Sequence, residues 1–362
     1  MTNFDFNKAI NFFKLDKIKE LSESKTGLRF LKLRSISRSD IMVKFCSELK
    51  LDITNIPKKK LLEFLFNSKI EDKQIENLIK KFYSEERKER LSNENNLINE
   101  LYNLKEFDWG GLHQNSLEKT IVDNYIKKIQ NFKDLSKNID DKLYPSMKSY
   151  VLCSWYNHWT SIIIEDLFKD NDKVLPAVGL IKKIDFFIDN TPFDLKVTYL
   201  PEGYVKYQRK KLLLRPELTL MKKFSRDNKI PINTELNDAR LIEDLWKKIK
   251  DFPNKEAKNL IDELYTFRKK IISECYKNPK DLIKWLYENQ GVRRFDASNR
   301  LFLILIDTTN FFASWELKRA IPLLKKSIND QLINKKKVGI EIDFEWEEEK
   351  YKSIADIIFV LR

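Results

Sequence analysis

The chain has 362 residues, enough for a large core or for two or three packed subdomains. Its 68 Lys and Arg outnumber its 55 Asp and Glu, and the resulting net charge of +13 makes polyanions its natural partners. Three scattered cysteines and two histidines exclude a disulfide framework or a zinc cluster. No basic leader precedes an apolar run and no apolar stretch has membrane-spanning length, so a cytoplasmic protein without a membrane partner is expected.

Residues 1–107 read as helical throughout. Apolar residues recur at helical spacing in 4–13, 41–49, 61–66 and 75–82, and Ser39 and Asp40 offer an N-cap. This part is expected to be a structural or dimerising helical domain. Arg34, Arg38 and Lys58–Lys60 also flank short helices in a helix-turn-helix-like arrangement that could contact DNA. The stretch 107–116, FDWGGLHQNS, holds two of only seven glycines and is expected to be a connecting loop and domain boundary.

Residues 117–132 predict an amphipathic helix with Ile121, Tyr125, Ile129 and Phe132 on one face. Residues 149–169 predict a second helix. On it Ser154, His158, Ser161 and Glu165 form a polar stripe bordered by Trp155, Trp159, Ile162 and Ile163. That stripe places Glu165 at the edge of the core, with Asp166 as its competitor. His158 reads mainly as a packed helix residue.

The stretch 184–200, IDFFIDNTPFDLKVTYL, predicts a β-hairpin. From Pro192 onward Phe193, Leu195 and Val197 alternate with Asp194, Lys196 and Thr198, the period of a strand with one buried and one polar side. A two-residue turn at Asp189 and Asn190 places Asp185 opposite Asp194. Two carboxylates so placed repel unless a cation lies between them, and hard divalent ions such as Mg²⁺ take oxygen ligands of this kind. A solvated polar face of an ordinary hairpin is the plainer alternative.

From Lys196 to Arg226 nine basic residues stand against two acidic ones, more than half of the excess charge of the chain. Lys206, Arg209, Lys210, Lys211, Arg215, Lys222, Lys223 and Arg226 are interleaved with Tyr204, Tyr207 and Phe224. Such a mixture suits phosphate contact, although a solvated helix face has the same composition. Helices are expected at 235–250, 256–276 and 279–289. The loop 289–300 gathers Arg293, Arg294, Asn299 and Arg300 around a glycine. Arg and Asn are the usual bidentate readers of guanine and adenine edges, so this is a candidate recognition loop.

The run 301–306, LFLILI, predicts a fully buried strand ending at Asp307. A helix restarted at Pro322 follows within 313–334, then strands at Ile340–Trp346 and 354–361. Glu341, Asp343 and Glu345 alternate with apolar residues but have no lysine at the offset seen in the hairpin, and read as the charged face of an edge strand. The expected architecture is α/β, a mixed central sheet flanked by helices. A helical N-terminal domain at 1–107 would precede a core at 108–362 that carries a helical insertion at about 202–290.

Asp185, Asp194 and Lys196, with their apolar flanks, resemble the PD-(D/E)xK nuclease superfamily, which includes many type II restriction endonucleases. Ile184 stands where the motif usually has proline, and the likeness covers 150–200. The resemblance implies a restriction-endonuclease-like core and Mg²⁺-dependent hydrolysis of phosphodiester bonds in double-stranded DNA, with Mn²⁺ as a substitute ion. Asp185, Asp194, the backbone carbonyl of Leu195 and Glu165 would hold the ion, and Lys196 would serve the attacking water or the transition state. Lys206, Arg209, Lys210, Lys211, Arg215, Arg293, Arg294 and Arg300 would contact DNA. A type II restriction endonuclease acting against foreign DNA would work as a homodimer beside a cognate DNA methyltransferase encoded nearby. Two other readings stay open: a defence or repair nuclease without strict sequence specificity, and a non-catalytic DNA-binding subunit on a nuclease-like scaffold.

Overall fold

A computed structural model describes residues 3–112, 117–179, 181, 183–289, 298–334, 338–346 and 348–362. The N-terminal part is helical as its periodicity predicts: α1 (Phe6–Lys14), α2 (Ile18–Ser22), α3 (Lys25–Arg34), α4 (Ser39–Glu48), α5 (Leu61–Asn67) and α6 (Asp72–Leu101). Local chemistry starts several of these helices. The Asp5 carboxylate accepts the Lys8 amide, Ser24 accepts the Gly27 amide, and Glu71 with Gln74 closes a capping box at α6. The apolar faces merge around Phe30, Phe45, Leu65, Ile75 and Ile79. The same cluster takes in Ala177, Ile181, Ile184 and Phe187 from the segment that leads into the hairpin.

The long helix expected at 117–132 is corrected. It is the short α7 (Leu117–Ile121) running into a π turn at Val122–Ile126, and a new helix, α8 (Phe132–Asn138), starts after it. Asn131 decides the break: its side chain accepts the Asp134 amide and so caps α8, which makes Phe132 a first-turn residue. The predicted apolar face is not buried, and Ile126 and Phe132 are exposed. A second π turn at Ile139–Leu143 leads into α9 (Tyr144–Lys169), which begins earlier than expected, with Pro145 in its first turn.

Among the described residues six strands form one mixed sheet: β1 (Val174–Pro176), β2 (Phe186–Ile188), β3 (Thr191–Tyr199), β4 (Arg300–Ile306), β5 (Ile340–Trp346) and β6 (Glu349–Leu361), in the order β1-β2-β3-β4-β6-β5. β4 pairs in parallel with both β3 and β6, and the remaining pairs are antiparallel. β1 was not expected, because three residues ending in proline carry no visible period. β5 is the edge strand predicted for it. Glu341, Asp343 and Glu345 are exposed, and the last two face Lys352 and Lys350 at 3.9 and 3.8 Å.

The crossover from β3 to β4 is the helical insertion: α10 (Glu202–Lys211), α11 (Glu217–Asp227), α12 (Asp238–Lys250), α13 (Lys255–Lys277) and α14 (Lys280–Asn289). After β4 a 3₁₀ segment, Phe311–Arg319, precedes α15 (Ile321–Asn334). The helix expected within 313–334 is therefore in two pieces, broken before Pro322, which has no N–H to continue the ladder. Helices cover both faces of β4, which explains its continuous apolar run. Leu301, Leu303 and Leu305 meet α9 and α15, while Phe302, Ile304 and Ile306 meet α10, α13 and α14. Helices α11 and α12 pack with α13 in a cluster of their own around Met221, Leu245 and Leu264. Among the described residues no helix is long and apolar enough to cross a membrane.

Candidate active site at the hairpin

Asp189 and Asn190 have φ of +48° and +64°, the left-handed pair that makes a two-residue turn compatible with strand twist. The register follows as predicted: Ile188 pairs with Thr191, Phe187 with Pro192 and Phe186 with Phe193. The ladder ends there, one pair short of Asp185 and Asp194. The Asp185 amide donates to the Phe193 carbonyl at 2.8 Å and its own carbonyl accepts the Ala177 amide at 3.1 Å. Its carboxylate Oδ2 accepts the Leu195 N–H at 2.7 Å, in the place where the next ladder acceptor would stand. The N–H and C=O of a strand residue point to the same edge, so the Leu195 carbonyl faces the Asp185 side as well.

Asp194 and Lys196 share a face of β3, and the Lys196 ammonium lies 2.6 Å from Asp194 Oδ1. The parallel partner of Asp194 is Arg300, whose Nε stands 3.8 Å from Oδ2. On α9, Glu165 and Asp166 point apart. Asp166 is buried against α6, held by Arg90 at 2.7 and 2.8 Å and by the Tyr83 hydroxyl at 3.2 Å. Glu165 bonds Lys169 one turn later at 3.1 Å, and Lys169 also reaches the Ala177 carbonyl at 3.4 Å. Asp166 is thereby committed to the helix pair, and Glu165 is the acid left to the hairpin side.

Burial pushes the Asp185 carboxyl up to about 6, helped by the negative charges of Glu165 and then Asp194 and opposed by the Leu195 N–H. Asp185 therefore feels both neighbouring acids. Among the described residues, though, no three His, Cys, Asp or Glu side chains converge closely enough to hold one ion. The donor set around Asp185 is anionic oxygen, the chemistry that Mg²⁺ takes, while Lys196 and Lys169 occupy two of the three carboxylates.

The residues expected to touch DNA divide into three groups. Lys206, Lys210, Lys211 and Arg215 are exposed on α10 and the turn after it, with Lys211 3.3 Å from Asp281. Arg209 is corrected to an interior residue, 1% exposed. Its guanidinium bonds the Arg215 carbonyl and Glu263 and lies over the Phe267 ring. Arg300 is likewise corrected: it opens β4, is buried over the Tyr287 ring, and belongs to the Asp194 site rather than to an open loop. Arg293 and Arg294 lie outside the described residues, as does His113. Asn299 is buried and ties β3 to β6, donating to the Pro192 carbonyl and accepting the Ile354 amide.

In the N-terminal part, Arg34 packs on Phe13 and bonds Ser37, and Arg38 pairs with Asp40 and Glu86. His158 is exposed beside Trp159. Sequence reasoning missed Lys169, although its i,i+4 spacing from Glu165 was a usable signal. It also missed the burial of Arg209, which sits one helical turn from buried Val205. Set against models of protein families, curated proteins and solved structures, the chain matches none.

Proposed function

We propose that this chain is a Mg²⁺-dependent endonuclease of double-stranded DNA, of the type II restriction kind and directed against foreign DNA. The observation that carries the reading is the placement of Asp185 beside the Asp194–Lys196 pair where β2 and β3 part, with Asp185 also feeling the charge of Glu165. Asp185, Asp194 and the Leu195 carbonyl would hold the ion, with Glu165 leaving Lys169 to join them, and the ion when bound would neutralise charge on the scissile phosphate. Lys196 Nζ stands beside Asp194, placed to orient the attacking water or to stabilise charge on the phosphate oxygens. Arg300 adds a second positive charge at the same carboxylate. Cutting both strands calls for two such sites, hence a homodimer, and a cognate methyltransferase would protect host DNA.

A non-catalytic DNA-binding subunit is the second reading, favoured by the internal partner that each acid has in this structure. Incubation of the purified protein with plasmid DNA and Mg²⁺ separates the two. Discrete fragments are expected, lost with a chelator, and Asp194→Ala or Lys196→Ala should lower the rate by about 10²-fold or more. A smear would replace restriction with unspecific cleavage. Absence of nicking with Mg²⁺ or Mn²⁺ would leave the binding subunit.

A further inference from the structure

The connection between α10 and α11 shows three consecutive leucines to solvent. Leu213 is 96% exposed and its φ is +58°, while Leu212 and Leu214 are 52% and 42% exposed. A bulky residue in the left-handed region carries strain, and exposed leucine gains nothing from burial, so two costs fall on one turn of the free protein. The turn is nevertheless held firmly. The Leu213 and Leu214 amides donate to the Lys210 and Arg209 carbonyls at 3.0 and 2.8 Å. Buried Arg209 reaches across to the Arg215 carbonyl at 2.5 Å while its guanidinium rests on Phe267. The leucines are presented on a preformed support.

The charge around the turn is mainly positive, with exposed Asp281 beside Lys211 and half-exposed Glu263 beside Arg209 as the acidic exceptions. Glu202 and Glu217 are drawn inward onto Arg268 at 2.6 Å each, and Glu263 is taken by Arg209. Lys206, Lys210, Lys211 and Arg215 remain exposed on the two sides of the leucines. We propose that Leu212, Leu213 and Leu214 form a wedge that enters a base step of duplex DNA while the flanking lysines and arginine hold the phosphates on either side. Apolar side chains inserted between base pairs unstack them, and the cost is offset by the phosphate contacts that the deformed duplex permits. A tip of three side chains matches one base step. A lipid surface is instead met by the long apolar face of an amphipathic helix, which neither α10 nor α11 offers beside the turn. The inference rests on the reading that the chain acts on duplex DNA, and α10 runs directly from the strand that carries Asp194 and Lys196.

Intercalation unwinds DNA whatever its sequence, so the test needs no knowledge of a cleavage site. Closed circular plasmid is relaxed by a metal-independent topoisomerase in EDTA with the full-length protein bound, and the topoisomer distribution is read on a gel. Wild-type protein should shift the distribution in proportion to the amount bound. A Leu212→Ala, Leu213→Ala, Leu214→Ala variant should lose the shift and bind roughly tenfold more weakly. Leu213→Ala alone, at a position too exposed to affect folding, should reduce the shift as well, and circular dichroism confirms that both variants are folded. Lys210→Ala with Lys211→Ala should weaken binding and reduce its salt dependence by about two counterions, with unwinding per bound protein unchanged. Plasmid binding with no change in linking number overturns the wedge, as does a leucine variant that unwinds like the wild type. Leucine-dependent binding to anionic vesicles without DNA unwinding overturns it in favour of a membrane contact. Cleavage in Mg²⁺ is scored separately: cutting without unwinding removes the wedge alone, whereas unwinding without cutting removes the nuclease reading and leaves the wedge.

Discussion

Lys318 lies buried between the end of β3 and α9, its ammonium 2.6 Å from Asn157 Oδ1 and 5.7 Å from the centre of the Tyr199 ring. Burial alone pushes its amine down to about 8. Between pH 8 and the usual lysine value of 10.5 the unfolded chain keeps a proton that the folded chain has released, so stability should rise with pH across that window. Below pH 8 the penalty of a buried charge is present in full. Lys318→Met should therefore stabilise the protein at pH 7, by about 2 kcal/mol, and flatten the rise; urea midpoints at pH 7, 9 and 10 measure both effects. Single residues were unevenly legible in the sequence. Asp194 and Lys196 could be placed side by side because strand alternation fixes which side chains share a face, and Asp185 near them because the two-residue turn sets the register. Arg209 and Arg300 were assigned to the surface because charge was read without direction, and only packing shows that both turn inward onto an aromatic ring and a carboxylate.

Among elements, the insertion is keyed by one cation. Arg268 of α13 bonds Glu202 at the start of α10 and Glu217 at the start of α11, with its guanidinium over Trp246, Phe311 and Phe312. Arg268→Met leaves two carboxylates facing an apolar surface and should cost about 3 kcal/mol or more, read as a lowered urea midpoint. Adding Glu202→Gln and Glu217→Gln should recover most of the loss, because the defect is unpaired charge rather than lost volume. Helices with a cap and a continuous apolar face, such as α12 and α13, were visible in the sequence. The run 117–132 showed the same spacing but none of its described residues is fully buried, and periodicity cannot report whether a neighbour exists. β1 had too few residues to show a period at all.

For the whole molecule, the decisive contact joins the N-terminal helices to the hairpin. The Gly179 amide donates to the Ser35 carbonyl at 2.5 Å, and a Cβ on Gly179 would come within 2.7 Å of that oxygen. Gly179→Ala should force the two segments apart, at a cost of about 1 to 3 kcal/mol, and lower the melting temperature. It should also disturb the Asp185 position, only a few residues along the chain. Lys32, buried in α3, bonds both Glu76 of α6 and Asn190 at the hairpin tip. The helical character of the first 107 residues was legible, but its docking on the hairpin was not, since contact between distant segments leaves no local pattern. The Lys32 bridge also bears on the order of assembly. It spans 158 positions, yet the helices that hold Lys32 consist of local contacts and can form early, whereas the β3–β4 pairing must wait until the whole insertion has been made. During synthesis the hairpin would then find its register against an already folded helical template. Arg300 would join Asp194 only later, so the charge cluster is among the last parts of the molecule to be completed.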